Sequence, residues 1–442
     1  MFPLLDLRLP ALSRALLVYR WRRLDAARAA ARAAGLPGAR FPWQSGSDGR
    51  EETPAALFNP RSGRWMRDNS RLQAHVGLAI AYNVWHHYQV TGDLEFLTEY
   101  GAELIIEIAR LFAGLAVYDP DDDRYDIAGV MGPDEYHDGY PDSTEPGLRN
   151  NAYTNVMVAW LLQRARDVVT LLSTHHCGDL WERLTLRDGE LEYWEHASRR
   201  LRIHFHADGV ISQFAGYEQL DEFDWDRYRA VYGNIGRLDL ILESEGDTTN
   251  RYKVSKQADV LMLFYLLSVD ELRGLFERLG YALPPETVRR TVDYYLARTA
   301  NGSTLSRVVH AWVLARADRS RSWSLFREAL AADLDDTQGG TTREGIHLGA
   351  MAGTVGLVLR GYAGIEARDD ALWFDPCLPN ELREIRFKLF YRGQRLSVEL
   401  DPGRLRVHLH PCAAKPVRIG FAGEVRTMAA GETHELSIER TP

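Results

Sequence analysis

Cysteine is scarce in this chain of 442 residues: there are three, Cys177, Cys377 and Cys412, widely spaced and odd in number. That excludes a disulfide framework and a metal site of the C-x-x-C kind, and it makes a reducing compartment the default. Long apolar runs are missing too. None approaches the roughly 18–20 residues of a membrane span, and residues 1–10 alternate Leu, Asp, Arg and Pro instead of forming a leader. An excess of positive charge is also absent: Lys and Arg number 53 against 62 Asp and Glu, a formal net charge of −9. No overall field therefore favours nucleic acid or an anionic membrane. These absences predict a cytoplasmic globular protein with no metal and no bound cofactor.

What is present suffices for one large core and a small second one, since 45% of residues are hydrophobic and 10% aromatic. Apolar residues recur at three- and four-residue spacing over 12–35, a stretch rich in Ala, Arg and Leu that ends on Gly35 before Leu36-Pro37. The same period predicts helices over 68–91, 95–117, 150–174, 178–197, 256–267, 269–280, 284–298, 304–316, 318–333 and 344–362. So many helices without a heptad run predict antiparallel pairs wrapped into a toroid. Near residue 370 the period changes from helical to alternating, in segments such as Ile385-Arg-Phe-Lys-Leu-Phe-Tyr391 and Arg395-Leu-Ser-Val-Glu-Leu400. The expected organisation is a helical domain over 1–368 and a small antiparallel β-sheet domain over 369–442.

Chemistry concentrates at a few breaks in the helical pattern. Ile127-Ala-Gly-Val-Met-Gly-Pro-Asp-Glu-Tyr-His137 offers two adjacent acids on a loop rich in Gly and Pro, either as catalytic groups on a rigid scaffold or as the start of a helix capped by Asp134. Asn150-Asn-Ala-Tyr-Thr-Asn155 has the amides to cap the following helix and tie down that loop. Lys256 and Gln257 precede a strongly apolar helix and either donate to sugar hydroxyls or simply open it. Asn301-Gly-Ser-Thr-Leu-Ser306 and Gly339-Gly-Thr-Thr-Arg-Glu-Gly-Ile-His347 bring hydroxyls and backbone N–H groups to helix starts, an anion site in the making or two ordinary caps. Phe41 to Thr53 mixes Trp43 with Asp48, Glu51 and Glu52, a combination that stacks on sugar rings and bonds their hydroxyls.

Taken in order, these segments resemble glycoside hydrolase family 65, the maltose, trehalose and kojibiose phosphorylases with a minority of hydrolases. The resemblance runs over about residues 10–400. It is carried by Pro42-Trp43, Gly49 and Glu51, Gly63-Arg-Trp65, Asp68-Asn-Ser70, Gln73-Ala-His75, Gly132-Pro-Asp-Glu-Tyr-His137, Asn151-Ala-Tyr-Thr-Asn155, Lys256-Gln-Ala-Asp-Val260, Ser303-Thr-Leu-Ser306, Glu344-Gly-Ile-His347 and Gly353-Thr354. It implies a mainly α fold, an (α/α)6 barrel followed by the β-sheet domain. By position in the motifs it also implies Glu135 as general acid, Lys256 and Gln257 as glucose ligands, and Ser303, Thr304 and His347 as phosphate ligands; Trp43 and Asp48 join the substrate-binding candidates on their own chemistry. A homodimer and an α-linked glucose disaccharide as substrate follow from the same likeness.

Family members carry a β-sandwich, a helical linker and an aromatic-Trp-Asp motif ahead of the barrel, so the first barrel helix is expected to be incomplete. A phosphorylase of this kind needs phosphate as co-substrate and no base. An inverting hydrolase needs a second carboxylate about 6.5–9.5 Å from the acid, for which Glu344 is the candidate. A non-catalytic, sugar-binding barrel is the third reading. Asn301 stands where phosphorylases of the family usually place a His, before the Ser-Thr pair.

Overall fold

The computed structural model describes residues 1–175, 178–337, 341–368 and 370–438. Cys177, Gly339 and Gly340 lie outside the described residues, as do Asp369 and the last four positions of the β-rich segment. By its own contacts the chain divides into two compact units. One comprises Met1–Tyr19, Asn83–Leu97 and Arg307–Pro442, the other Arg20–Tyr82 and Thr98–Ser306.

The second of these units is mostly helical. Its longest helix, Ala152–Ser173, is capped by Asn151, whose side chain accepts the Thr154 N–H at 2.9 Å. Because it is buried nearly all round over its first three turns, the helix is a central element and not an amphipathic surface one. Ala102–Leu115 is likewise almost wholly buried. Leu24–Ala33, Glu190–Ser198, Asp259–Leu266, Val269–Arg278 and Pro285–Ala297 complete the main set.

Several expected boundaries move, each for a local reason. The 12–35 helix is two, Pro10–Trp21 and Leu24–Ala33, broken at Arg22–Arg23. The 178–197 helix is also two, because Thr185 and Gly189 take φ values of 46° and 75° between Gly178–Leu184 and Glu190–Ser198. The helix expected from 68 begins at His75, after a short turn over Ser70–Leu72. Helices Trp225–Tyr232 and Leu238–Ser244 and the strands Ala116–Asp119 and Arg124–Val130 were not anticipated. The two strands pair as an antiparallel hairpin, and Arg124–Val130 also pairs with Leu148–Arg149 across an irregularity between Ala128 and Val130.

In the other unit, the C-terminal segment forms two four-stranded sheets. Ile385–Tyr391, Gln394–Asp401, Arg404–Leu409 and Thr433–Ser437 make a purely antiparallel sheet. Ile365–Arg368, Ala371–Phe374, Val417–Phe421 and Glu424–Met428 make the other, in which Val417–Phe421 runs parallel to Ala371–Phe374. The parallel pair departs from the antiparallel expectation because the chain builds the first sheet before returning to the second, a crossover that antiparallel hairpins do not need. Inward residues of both sheets, including Leu372, Phe374, Leu396, Val398, Leu405, Val407 and Ile419, form one apolar cluster with Leu7, Val90 and Leu359. Among the described residues no helix is long and apolar enough to cross a membrane.

Candidate active site

The loop that follows Arg124–Val130 is not a helix start. Asp134 takes a left-handed backbone, φ 51°, and its N–H donates to Gln73 Oε1 at 2.8 Å, so the capping role open to it in the sequence is not the one adopted. The loop is instead pinned from many sides. Asn150 Oδ1 accepts from the Ile127 N–H at 3.0 Å, Tyr136 O–H donates to Gly236 O at 2.8 Å, and His137 Nε2–H donates to Tyr252 O at 2.9 Å. Asp138 accepts from the side-chain amides of Asn69 and Asn250, each at 2.8 Å. These bonds leave Glu135 a fixed direction.

That direction is into the turn before helix Asp259–Leu266. Glu135 is 4% exposed, and its carboxyl accepts the backbone N–H groups of Lys256 at 2.7 Å, Asp259 at 3.0 Å and Gln257 at 3.3 Å. Ala258 makes this possible by taking φ 61°, an unusual conformation for a residue with a Cβ, which turns successive N–H groups toward one point. Burial and the neighbouring Asp259 carboxylate push the Glu135 carboxyl upward, against the three N–H donors, which favour its ionised form. Burial also pushes Asp259 upward.

Asp259 is fully buried, and its Oδ2 accepts from Asn151 Nδ2 at 2.6 Å. Gly132 leaves the space for it: a Cβ there would sit 2.2 Å from Asp259 Oδ2. Asp259 was not singled out in the sequence, because an acid opening an apolar helix reads as a partner of the helix dipole. The signal that finds it is spatial, a glycine whose missing side chain is replaced by a carboxylate 127 positions later.

Lys256 and Gln257 lie in the turn that meets Glu135. Lys256 Nζ pairs with Asp134 Oδ1 at 2.6 Å, and Gln257 Nε2 donates to Pro133 O at 2.7 Å. The 301–306 stretch joins them: Gly302 N–H and Ser306 O–H both donate to Lys256 O at 3.1 Å. Gly302 is packed so closely that a Cβ would meet Gly236 O at 2.1 Å. Ser303, nearly buried, accepts the Leu305 N–H at 3.3 Å, and Thr304 opens helix Thr304–Leu314.

The remaining predicted residues are placed as follows. The Trp43 ring lies 5.5 Å from that of His75, which in turn meets Tyr153 at 6.2 Å. Glu51 organises this loop, accepting the N–H groups of Trp43, Gln44 and Thr53 at 3.0–3.2 Å. Asp48 pairs at 2.6 Å with Arg50 in an exposed turn, engaged within its own loop. His347 belongs to the other compact unit, where it precedes helix Leu348–Gly356 and its Nδ1–H donates to Asp333 Oδ1 at 2.6 Å. Glu344 ends the short turn Thr341–Glu344, and its side chain lies outside the described ones. Among the described residues no cluster of three or more His, Cys, Asp or Glu is placed to hold a metal ion.

Residues 1–356 match the glycosyl hydrolase family 65 central catalytic domain, and residues 365–427 match the family's C-terminal domain. The chain is 52% identical over 438 residues to an uncharacterized glycosyl hydrolase of Mycobacterium tuberculosis, covering 99% of this chain and 33% of that protein. It is 39% identical over 397 residues to the trehalose 6-phosphate phosphorylase of Lactococcus lactis, covering 90% and 50%, and 33% identical over 407 residues to the kojibiose phosphorylase of Halothermothrix orenii, covering 90% and 49%. It thus spans a third of the mycobacterial relative and about half of either phosphorylase. A solved structure provisionally assigned as a kojibiose phosphorylase from human microbiome superposes with a TM-score of 0.77 at 20% identity, over 100% of this chain and 59% of that one. The shared fold is an (α/α)6 barrel followed by a small β-sheet domain.

Proposed function

The chain belongs to glycosyl hydrolase family 65, and from that premise we propose that it cleaves an α-glucosidic disaccharide with phosphate and inverts the anomeric centre. Glu135 is the general acid. A phosphate oxygen attacks the anomeric carbon from the face opposite Glu135, the bond from that carbon to the glycosidic oxygen breaks, and the Glu135 proton passes to the departing oxygen. The products are β-glucose 1-phosphate and the released sugar.

The observation that carries the reading is the setting of Glu135. A general acid must keep its proton near the working pH, and a carboxyl that is 4% exposed, with a second buried carboxylate beside it, is pushed in that direction. Lys256 and Gln257 stand against it to take glucose hydroxyls, and the Trp43 ring offers a stacking face.

Phosphorolysis is favoured over hydrolysis on two grounds. Phosphate is already an anion and asks for donors, which the Ser303 and Thr304 hydroxyls supply. The named relatives of moderate identity are phosphorylases of trehalose 6-phosphate and kojibiose. An inverting hydrolase would need a base on the opposite face of the sugar, for which Glu344 remains the candidate; Asp259 is fully buried against Asn151 and Gly132 and is not a second one.

Incubation of the chain with trehalose 6-phosphate, trehalose or kojibiose and inorganic phosphate should yield β-glucose 1-phosphate, read by proton NMR before mutarotation. The Glu135→Gln variant should lose about a hundredfold to ten-thousandfold in kcat. Sugar released at the same rate without phosphate would replace this reading with the hydrolase, and binding without turnover would replace it with the sugar-binding barrel.

A further inference from the structure

The reaction assigned to Glu135 leaves its neighbour in the chain, Asp134, without a part. The Asp134 backbone is left-handed, φ 51°, and its N–H is fixed to Gln73 Oε1 at 2.8 Å. Two consecutive side chains are thereby sent to the two ends of one residue. Glu135 accepts the Lys256 backbone N–H at 2.7 Å, and Asp134 takes the Lys256 ammonium at 2.6 Å.

We propose that Asp134 is a substrate-binding residue, which with Lys256 clamps two neighbouring hydroxyls of the glucose ring that is transferred: Lys256 donates to them and Asp134 accepts from them. This rests on the reading of the site as one for an α-glucoside.

The pair differs from the acid beside it in exposure. Glu135 is 4% exposed, whereas the Asp134 and Lys256 side chains are 26% and 25% exposed. Among the described residues, Asp134 Oδ2 and two of the three ammonium N–H groups of Lys256 have no partner. Arg237, the other cation whose charge acts on Asp134, is bound to Asp239 at 2.6 Å. Lys256 is also held from behind: its carbonyl accepts from Gly302 N–H and Ser306 O–H at 3.1 Å, and a Cβ at Gly302 would come 3.1 Å from its Cγ. An ion pair this exposed adds little to stability, and a left-handed backbone strains a residue with a Cβ, so folding alone does not account for the arrangement. Recognition of a sugar does. Neighbouring equatorial hydroxyls of a pyranose stand about one hydrogen-bond length apart, which is the separation of Lys256 Nζ and Asp134 Oδ1. Each hydroxyl both accepts and donates, so the two match a donor and an acceptor that touch each other. The pair carries no net charge, which suits an uncharged ring and leaves phosphate to other donors. The Trp43 ring stands 5.5 Å from that of His75, which the Asp134 charge also reaches, so stacking face and clamp share a neighbour.

The test is calorimetric binding, to the intact chain, of glucose and of the monodeoxy glucoses that each lack one ring hydroxyl. The wild type should bind two of these, deoxy at adjacent positions, about tenfold to a hundredfold more weakly than glucose. Asp134→Gly keeps the left-handed turn and removes the carboxylate. In it glucose should weaken by a similar factor, and the same two deoxy sugars should lose their disadvantage against glucose, as groups in contact do not add. If Asp134→Gly does not fold, Asp134→Asn is read instead, since Asn also tolerates the turn and does not pair with the ammonium. Unchanged glucose affinity in a folded variant overturns the proposal, and so does a loss that leaves the deoxy sugars at their full disadvantage. A chain that binds as expected but releases no β-glucose 1-phosphate would leave the clamp standing and refute the assigned reaction. A wild-type chain that binds no glucose would refute both.

Discussion

At Glu135 two physical effects oppose each other, and the outcome sets the chemistry. Three backbone N–H groups would by themselves make this carboxyl a strong acid, as at an ordinary anion-binding turn. Burial and the charge of Asp259 outweigh them. Gly132 is the residue on which the arrangement depends, because its missing Cβ is the space that Asp259 fills. In Gly132→Ala the methyl would overlap Asp259 Oδ2 and drive the carboxylate toward Glu135 or out of its bond with Asn151. The expected cost is about 1–3 kcal/mol, as for other overpacked sites, read as a lower urea midpoint with unchanged slope. A fall in kcat larger than the fall in stability implies should accompany it. A variant as stable and active as the wild type would show that the turn relaxes freely, and Gly132 would then carry no constraint.

The turn before helix Asp259–Leu266 is the element through which the site is assembled, and it is strained. Ala258 at φ 61° adopts a conformation that costs an L-residue roughly 1–2 kcal/mol. Replacing it by Gly removes the strain but also loosens the unfolded chain, so the net expectation for Ala258→Gly is a gain of up to about 1 kcal/mol. The thermal midpoint reports it. If Ala258→Gly is destabilising instead, the left-handed turn is held by the Ala methyl, which is buried, and not endured for the N–H groups it presents.

What could be read in the sequence at this scale follows from periodicity. The Ala152–Ser173 helix and its Asn151 cap lay in the pattern of apolar residues and side-chain amides, and so did the alternating C-terminal strands. The short helices Trp225–Tyr232 and Leu238–Ser244 did not, since seven or eight residues are about two turns, too few for the helical period to stand out. The break at Arg22–Arg23 escaped because good helix formers surround it, whereas the one after Leu184 had a local signal in Asp188-Gly189. Glu135, Lys256 and Gln257 were legible as an ordered set of motifs. Asp259 was not, because its partners Gly132 and Asn151 are more than a hundred residues distant in the chain.

Across the whole molecule, buried histidines make folding sensitive to acid. Burial holds His75 and His137 down to about 4 and His310 to about 3, against an ordinary value of 6.5. A histidine whose folded value is depressed contributes stability that is present above 6.5 and is lost as pH falls toward the folded value, because the unfolded chain takes up a proton that the native one refuses. Each of the three should cost about 2 kcal/mol between pH 7 and pH 5, so together they draw on a large part of an ordinary domain's 5–15 kcal/mol. The Glu135–Asp259 pair acts in the opposite sense. Its carboxyls are raised, so over the same range the native state holds a proton that the unfolded chain has released, and stability from this pair rises as pH falls. Urea unfolding at pH 7, 6 and 5 should therefore show a decline that this pair partly offsets. In Glu135→Gln the decline should be steeper than in the wild type, since the variant loses a group that takes up a proton on folding in this range. Equal slopes for the two proteins would mean that Glu135 is ionised throughout, and the general acid would have to be sought elsewhere.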